Sequence, residues 1–399
     1  MPTERERTAR TTRFGIGCIL AYGLLGWVLS GIGAVLPRLR ESVGQSADLV
    51  ALAPGAGLLF FSATGLARAR ARRAGSASVL REGAVLTVLA MVALVLAGRG
   101  MIALPVAALL GLAAASLIRV LPGAIVGEYA IDQVVERERA ITRANAWSSI
   151  ASVSGPTCVG LAMWFGLGWR IGLVAVPVVG LSALIATLRE QRPANAAEIP
   201  APVRAPVVSG PWLDAWTLLT IGIVVEFVFV YFSATFLVEE LGAEASTAAL
   251  GTAAFAIGMA VGRFSSAPIR KRVGPRLTVN LVVIGGGFGV LRMAPGPGVA
   301  IIGIALAGIG VALLYPVAVG RLLARFPGDA DLGSDRAGLA SGAALLASPA
   351  LVGGLRQVAD VGAAFWCVPV LLLVLLGLDR LTLRGDLLGR GLAHSGGVT

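Results

Sequence analysis

Apolar residues recur along this chain in runs of about 18 or more, and polar residues gather between the runs. As a helix, a run of that length spans a hydrocarbon core of about 30 Å. The pattern predicts helices at 14–36, 49–66, 79–97, 102–126, 144–166 and 171–188. A second set is predicted at 216–237, 248–264, 277–291, 299–323, 339–355 and 363–378. Between the sets lies REQRPANAAEIPAPVRAPVVSGP, from Arg189 to Pro211, which is rich in proline and charge and has no apolar run. Such segments act as semi-rigid spacers. The expected organisation is a six-helix bundle over 1–188, a linker over 189–211, and a second six-helix bundle with a polar tail over 212–399.

The two sets repeat each other. The stretch from Gly44 to Gly75 ends in RARARRAG, and the stretch from Gly242 to Gly274 ends in a second basic cluster, with Arg73-Ala-Gly matching Arg272-Val-Gly. Pro122 and Pro156 are spaced as Pro316 and Pro349 are, and SGPTCVG in one set answers ASPALVGG in the other. Helix order and orientation are therefore shared, as parallel repeats.

Composition supports a membrane protein and excludes other classes. Hydrophobic residues make up 56% and charged residues 14% of the chain, with 53 glycines and a mean hydropathy of +0.85. A soluble chain of this length needs more charge to cover its surface. The net charge of +11 raises nucleic acid as a partner. Most Lys and Arg, however, fall at one set of helix ends when the N-terminus is placed inside. That is the positive-inside bias, which orients a membrane protein with both termini in the cytoplasm and does not form a nucleic-acid patch. The basic N-terminus followed by an apolar run suggests a signal peptide, but the run is long and lacks a persuasive cleavage site, so it reads as a retained first helix. Cys18, Cys158 and Cys367 sit singly in three helices, so no disulfide framework or metal site is expected, and the one histidine, His394, lies in the tail.

At the motif positions the chain resembles the major facilitator superfamily, along almost its whole length. Gly262–Arg276, with Arg272 in its basic cluster, resembles the superfamily's loop motif without the usual acidic residue. Arg119-Val-Leu-Pro-Gly123 is similar to the Arg-x-x-x-Gly motif of proton-linked members. Gly155-Pro156-Thr-Cys-Val-Gly160 resembles the glycine-proline motif of proton antiporters, drug exporters among them, with Val159 in place of one glycine. The resemblance implies twelve helices in two pseudo-symmetric bundles rocking about a central site. It also implies conformational roles for Gly123, Gly155, Pro156, Gly160, Gly262, Arg272, Pro316 and Pro349. The superfamily lines its cavity with helices 1, 4, 7 and 10, which implicates Tyr22, Trp27, Tyr231 and Tyr315 as substrate contacts. Each has a bland alternative: the aromatics can face lipid or neighbouring helices, the glycine-proline pair can simply kink a helix, and the basic loops can be topology signals alone.

Two residues break the repeat. Glu226 stands where the first set has Val28, and it is the one acid well inside a predicted helix. Arg119 stands where the second set has Leu313, in the inner third of helix 4. A charge at the bilayer centre costs about 2.5–3.5 kcal/mol on insertion scales, so such residues default to function. Glu226 is the expected proton-coupling residue. Arg119 is expected to bind an anionic or polar substrate group or to bias Glu226, the alternative being that its long side chain snorkels to the interface.

The expected protein is a proton-coupled secondary transporter of small molecules, monomeric, in a bacterial cytoplasmic membrane, with protons and lipids as its other partners and no cofactor. The glycine-proline motif favours export by antiport. Uptake by symport or uniport is the alternative. A membrane enzyme would need paired catalytic groups, and a channel a ring of like charges or a carbonyl filter; the sequence offers neither.

Overall fold

The computed structural model describes residues 4–44, 47–96, 103–126, 134–188, 212–273, 277–326 and 330–395. In chain order the helices are α1 Glu4–Val43, α2 Ala47–Thr64, α3 Leu66–Ala74, α4 Ser76–Leu96, α5 Ala103–Val126, α6 Val134–Trp164 and α7 Trp169–Leu188. After a gap come α8 Leu213–Leu241, α9 Ala245–Val273, α10 Thr278–Arg292, α11 Pro297–Val311, α12 Leu314–Ala324, α13 Ala330–Leu355, α14 Val361–Ala364 and α15 Cys367–Ser395. The expected linker lies outside the described residues.

Among the described residues, 9 helices are long and apolar enough to cross a membrane, or 10 with the bent α2–α3 pair. The remaining expected spans are α10, apolar but 15 residues long, and α6, whose apolar half follows a charged one. The chain is thus an all-α membrane protein. Where the observed helices differ from the predicted runs, they are mostly longer. The predicted helix 248–264 runs on to Val273 as α9, so the basic stretch after 264, expected as a loop, continues the helix that holds Gly262. Helix 11, expected from 339, begins at Ala330. Charged residues end an apolar run without ending a helix, because backbone hydrogen bonding continues into the polar interface.

The predicted helix 299–323 is the exception, being two pieces, α11 and α12. Proline has no N–H to offer the carbonyl four residues back, and its ring crowds that carbonyl. Pro316 therefore breaks the helix at Ala312–Leu313, between α11 and α12. The next donor, Val317, resumes the pattern by bonding Leu313 at 3.1 Å.

Within the first half, α1 packs on α6 and α2 on α5; in the second, α8 packs on α13 and α9 on α11. Between the halves the main seams are α2 with α13 and α6 with α9. Counted as spans, the second of each half meets the fifth of the other. That reciprocity is the contact pattern of two parallel repeats about a pseudo-two-fold axis. In lipid, association depends on close packing and not on burial from water. At Gly55 in α2 a Cβ would collide with the backbone at Leu345 and Leu346 of α13, so only glycine allows the two halves this approach.

Candidate functional site

Glu226 lies in the middle of α8, partly exposed. Its charged neighbour is Arg263 of α9. Tyr315, at the start of α12 beside the Pro316 break, interacts with Glu226 and Arg263, and its hydroxyl shares a hydrogen bond with Ser341 of α13. From the other half, Tyr22 of α1 reaches Tyr315. Tyr315 keeps 40% of its surface. Its neighbours come from α1, α8, α9 and α13, elements of both halves. A carboxyl and two phenols from α8, α12 and α1 therefore lie together, with the Arg263 guanidinium joining them from the α7–α8 end of α9. This group can take up and release a proton at Glu226, and it can hold a polar molecule by charge and hydrogen bonds.

The other predicted residues are distributed differently. Trp27 is 4% exposed, and its indole N–H donates to the carbonyl of Leu173 on α7 at 2.8 Å, which ties α1 to α7. Tyr231 is fully buried, with its ring 5.2 Å from that of Phe227 and its hydroxyl without a partner. In α6, Gly155 faces Trp27 and Ser30 of its own half, while Gly160 faces Ser246 and Leu250 of α9 in the other. Pro156 lies inside α6 and Pro349 inside α13. Gly262 meets Ile309 and Ala312. Gly123 has open space around it. Arg272 is in the last turn of α9, and its side chain lies outside the described residues.

Arg119 is not near Glu226; its charged neighbours are Asp335 and Arg68. Arg119 Nη2 donates to Asp335 Oδ1 on α13, and Arg68 of α3 reaches the same oxygen at 2.8 Å. The side chain of Arg119 is only 6% exposed. Gly338, one turn beyond Asp335, leaves the room the guanidinium occupies. Since α3 and α5 belong to the first half and α13 to the second, this cluster joins the halves at the end where α7 stops and α8 starts. At the opposite end, Glu239 of α8 accepts from Arg356 at 2.7 Å and from Arg40 of α1 at 3.3 Å, again across the halves.

A further ion pair lies wholly within the second half. Arg321 of α12 bonds Asp379 of α15 at 2.7 Å and the Thr382 hydroxyl at 2.8 Å, with both charged side chains nearly inaccessible. Asp379 also accepts from the backbone N–H of Leu277, just before α10. Removing one partner of a buried pair leaves an uncompensated charge, at a cost of about 3–5 kcal/mol, whereas replacing both is often neutral. Arg321→Met should therefore lower the unfolding temperature in detergent markedly. Arg321→Met with Asp379→Leu should recover most of the loss, and equal losses in both variants would refute the assignment.

No family model and no curated protein matches the sequence. Solved structures do match. A bacterial homolog of the human lysosomal transporter Spinster, inward-facing and occupied, is 16% identical, covers 93% of this chain and 96% of its own, and superposes with a TM-score of 0.72. A D-xylose-proton symporter is 15% identical over 92% of this chain and 97% of its own, with a TM-score of 0.71. A mutant of the nucleoside transporter NupG is 13% identical over 94% and 99%, with a TM-score of 0.71. At such identities the likeness carries fold and not substrate. All three are transporters, and this chain shares their all-α membrane fold, the major facilitator fold.

Proposed function

We propose that the protein is a proton-coupled secondary transporter that moves small molecules by alternating access, with Glu226 as its proton site. The observation that carries this reading is the placement of Glu226 beside Arg263 and Tyr315, with Tyr22 of the other half next to Tyr315. An intramembrane carboxyl is costly unless it works. The fold supplies two bodies that can rock around it, and the ion-pair clusters at both ends supply contacts that can open in turn. The glycine-proline motif of α6, set against both α1 and α9, supports export by antiport. The structural likeness to a proton symporter favours the second reading, proton-driven uptake. Arg119 and Tyr231 would meet substrate only in conformations other than this one.

We place the protein as a monomer in a bacterial cytoplasmic membrane, with bundles over 1–188 and 212–399 and with 189–211 and both termini inside. A cysteine at Ala197 should then react with impermeant reagents only from the cytoplasm, and one at Gly242 only from outside; the reverse labelling would overturn this topology. Function is tested in proteoliposomes carrying an internal pH dye, challenged with sugars, nucleosides, amino acids and cationic drugs. Antiport predicts that an outward substrate gradient drives protons inward, and symport predicts that substrate and protons enter together. Transport of a compound with no proton movement would leave a facilitator.

A further inference from the structure

Arg263 touches both halves at once. It rises from α9, in the second half, and donates from Nη1 to the Ser149 hydroxyl of α6, in the first, at 2.5 Å. Ser149 is 7% exposed, and the seam between α6 and α9 is one of the two principal contacts between the halves. Glu226, on α8, belongs to the same half as Arg263 and packs beside it. When the halves rock, Arg263 stays near Glu226 while its separation from Ser149 changes.

We infer that Arg263 is the positioning residue that makes the contact between α6 and α9 depend on the proton at Glu226. This rests on the proposed role of Glu226 and adds the means by which a proton becomes motion. A guanidinium keeps its charge throughout, so the variable is Glu226. Protonated, Glu226 is a neutral neighbour, and Arg263 holds Ser149 across the seam. Ionised, it is a charged acceptor, and charge-assisted hydrogen bonds are roughly twice as strong as neutral ones. The guanidinium is then drawn from Ser149 towards the carboxylate, and the seam loses this hydrogen bond at the α7–α8 end. No bond is made or broken except that of the proton, which leaves to water in the space between the halves. Among the described residues, α6 adds the cation Arg143, and the other groups near Arg263 and Glu226 are the phenols of Tyr315 and, beyond it, Tyr22, with the Ser341 hydroxyl beside Tyr315. The phenols and the hydroxyl hydrogen-bond but do not compete as charges. The helix along the other side of α9, α11, carries no titratable side chain. Raising the pH should therefore open the α7–α8 end without any substrate.

The test uses the full chain in nanodiscs, with Cys18, Cys158 and Cys367 replaced by alanine and spin labels at Ala74→Cys on α3 and Ala324→Cys on α12. These positions lie at the α7–α8 end of different halves. From pH 5 to 9 the long-distance population should grow about tenfold, a coupling of ordinary size. Glu226→Gln should hold the short distance at every pH. Arg263→Gln should abolish the pH response, and Arg263→Lys should restore part of it. Ser149→Ala, a small change that should leave folding intact, should raise the long-distance population most at low pH. A full response in both Arg263→Gln and Ser149→Ala would overturn the inference and leave Glu226 as the proton site. A response unaltered by Glu226→Gln would remove the proton site and the inference together.

Discussion

Glu226→Gln should abolish proton-driven accumulation while leaving exchange of substrate down its own gradient. The amide keeps the volume and the hydrogen-bonding shape of the protonated acid but cannot titrate. One charge crossing about 100 mV carries about 2.3 kcal/mol. At about 1.4 kcal/mol for each factor of ten, that sustains roughly a fifty-fold gradient of a neutral substrate. The Gln variant should thus fall from a gradient of that order to none, the largest effect expected of any single change in the site. Glu226→Asp keeps the charge on a shorter stem and should retain coupling with an altered pH profile. The measurement is accumulation against a gradient in proteoliposomes, with counterflow as the control for binding and folding. Normal accumulation in Glu226→Gln would show that protons enter elsewhere or not at all, because no other acid is placed at mid-span among the described residues.

The helices and the repeat were legible because each rests on a local pattern. An apolar run of sufficient length has few ways to satisfy its backbone in lipid other than as a helix, and matched prolines and basic loops fix the order of two such sets. Glu226 was legible for the same reason, as one polar residue inside an apolar run. Asp335, Arg263, Arg321 and Asp379 were not. Each lies where an apolar run gives way to polar residues, and there the sequence reads the same for a solvated loop as for a helix continuing inward. Whether such a residue faces water or a partner is decided by what packs opposite, which no one-dimensional period contains. The partner of Arg119 illustrates the point: it stands 216 positions away, on a helix whose first turns the apolar pattern omits. The break at Ala312–Leu313 could have been read from Pro316, since a proline inside a predicted helix has a known steric consequence. The closeness of Tyr315 to Glu226 could not.

Asp335→Ala should release the closed arrangement at the α7–α8 end. The carboxylate accepts from Arg119 and Arg68 at one oxygen, so its loss leaves two neighbouring cations on the first half with no anion opposite them on α13. The attraction between α13 and the first half is then lost, and the two cations repel each other within the first half. Asp335 keeps 37% of its side-chain surface, so solvent screens part of the interaction. The Arg119 end is nearly dry, and a hydrogen bond to a charged group there contributes about 1.5–3 kcal/mol. The expected shift towards the open arrangement is roughly 5–150-fold, the range of such couplings. It should appear as faster alkylation of a cysteine placed in the interior at Ser341, which lies two turns beyond Asp335 on α13. Asp335→Asn, which keeps one acceptor and removes the charge, should fall between. Arg119→Lys should also open this end, because a single ammonium replaces the planar fork that meets the carboxylate. The opposite end provides the contrast: Glu239→Gln, which breaks the links to Arg40 and Arg356, should shift the same equilibrium the other way and slow that alkylation. Equal alkylation in the parent, Asp335→Ala and Glu239→Gln would show that neither cluster biases the rocking of the halves. They would then be ordinary surface ion pairs, contributing less than about 1 kcal/mol each.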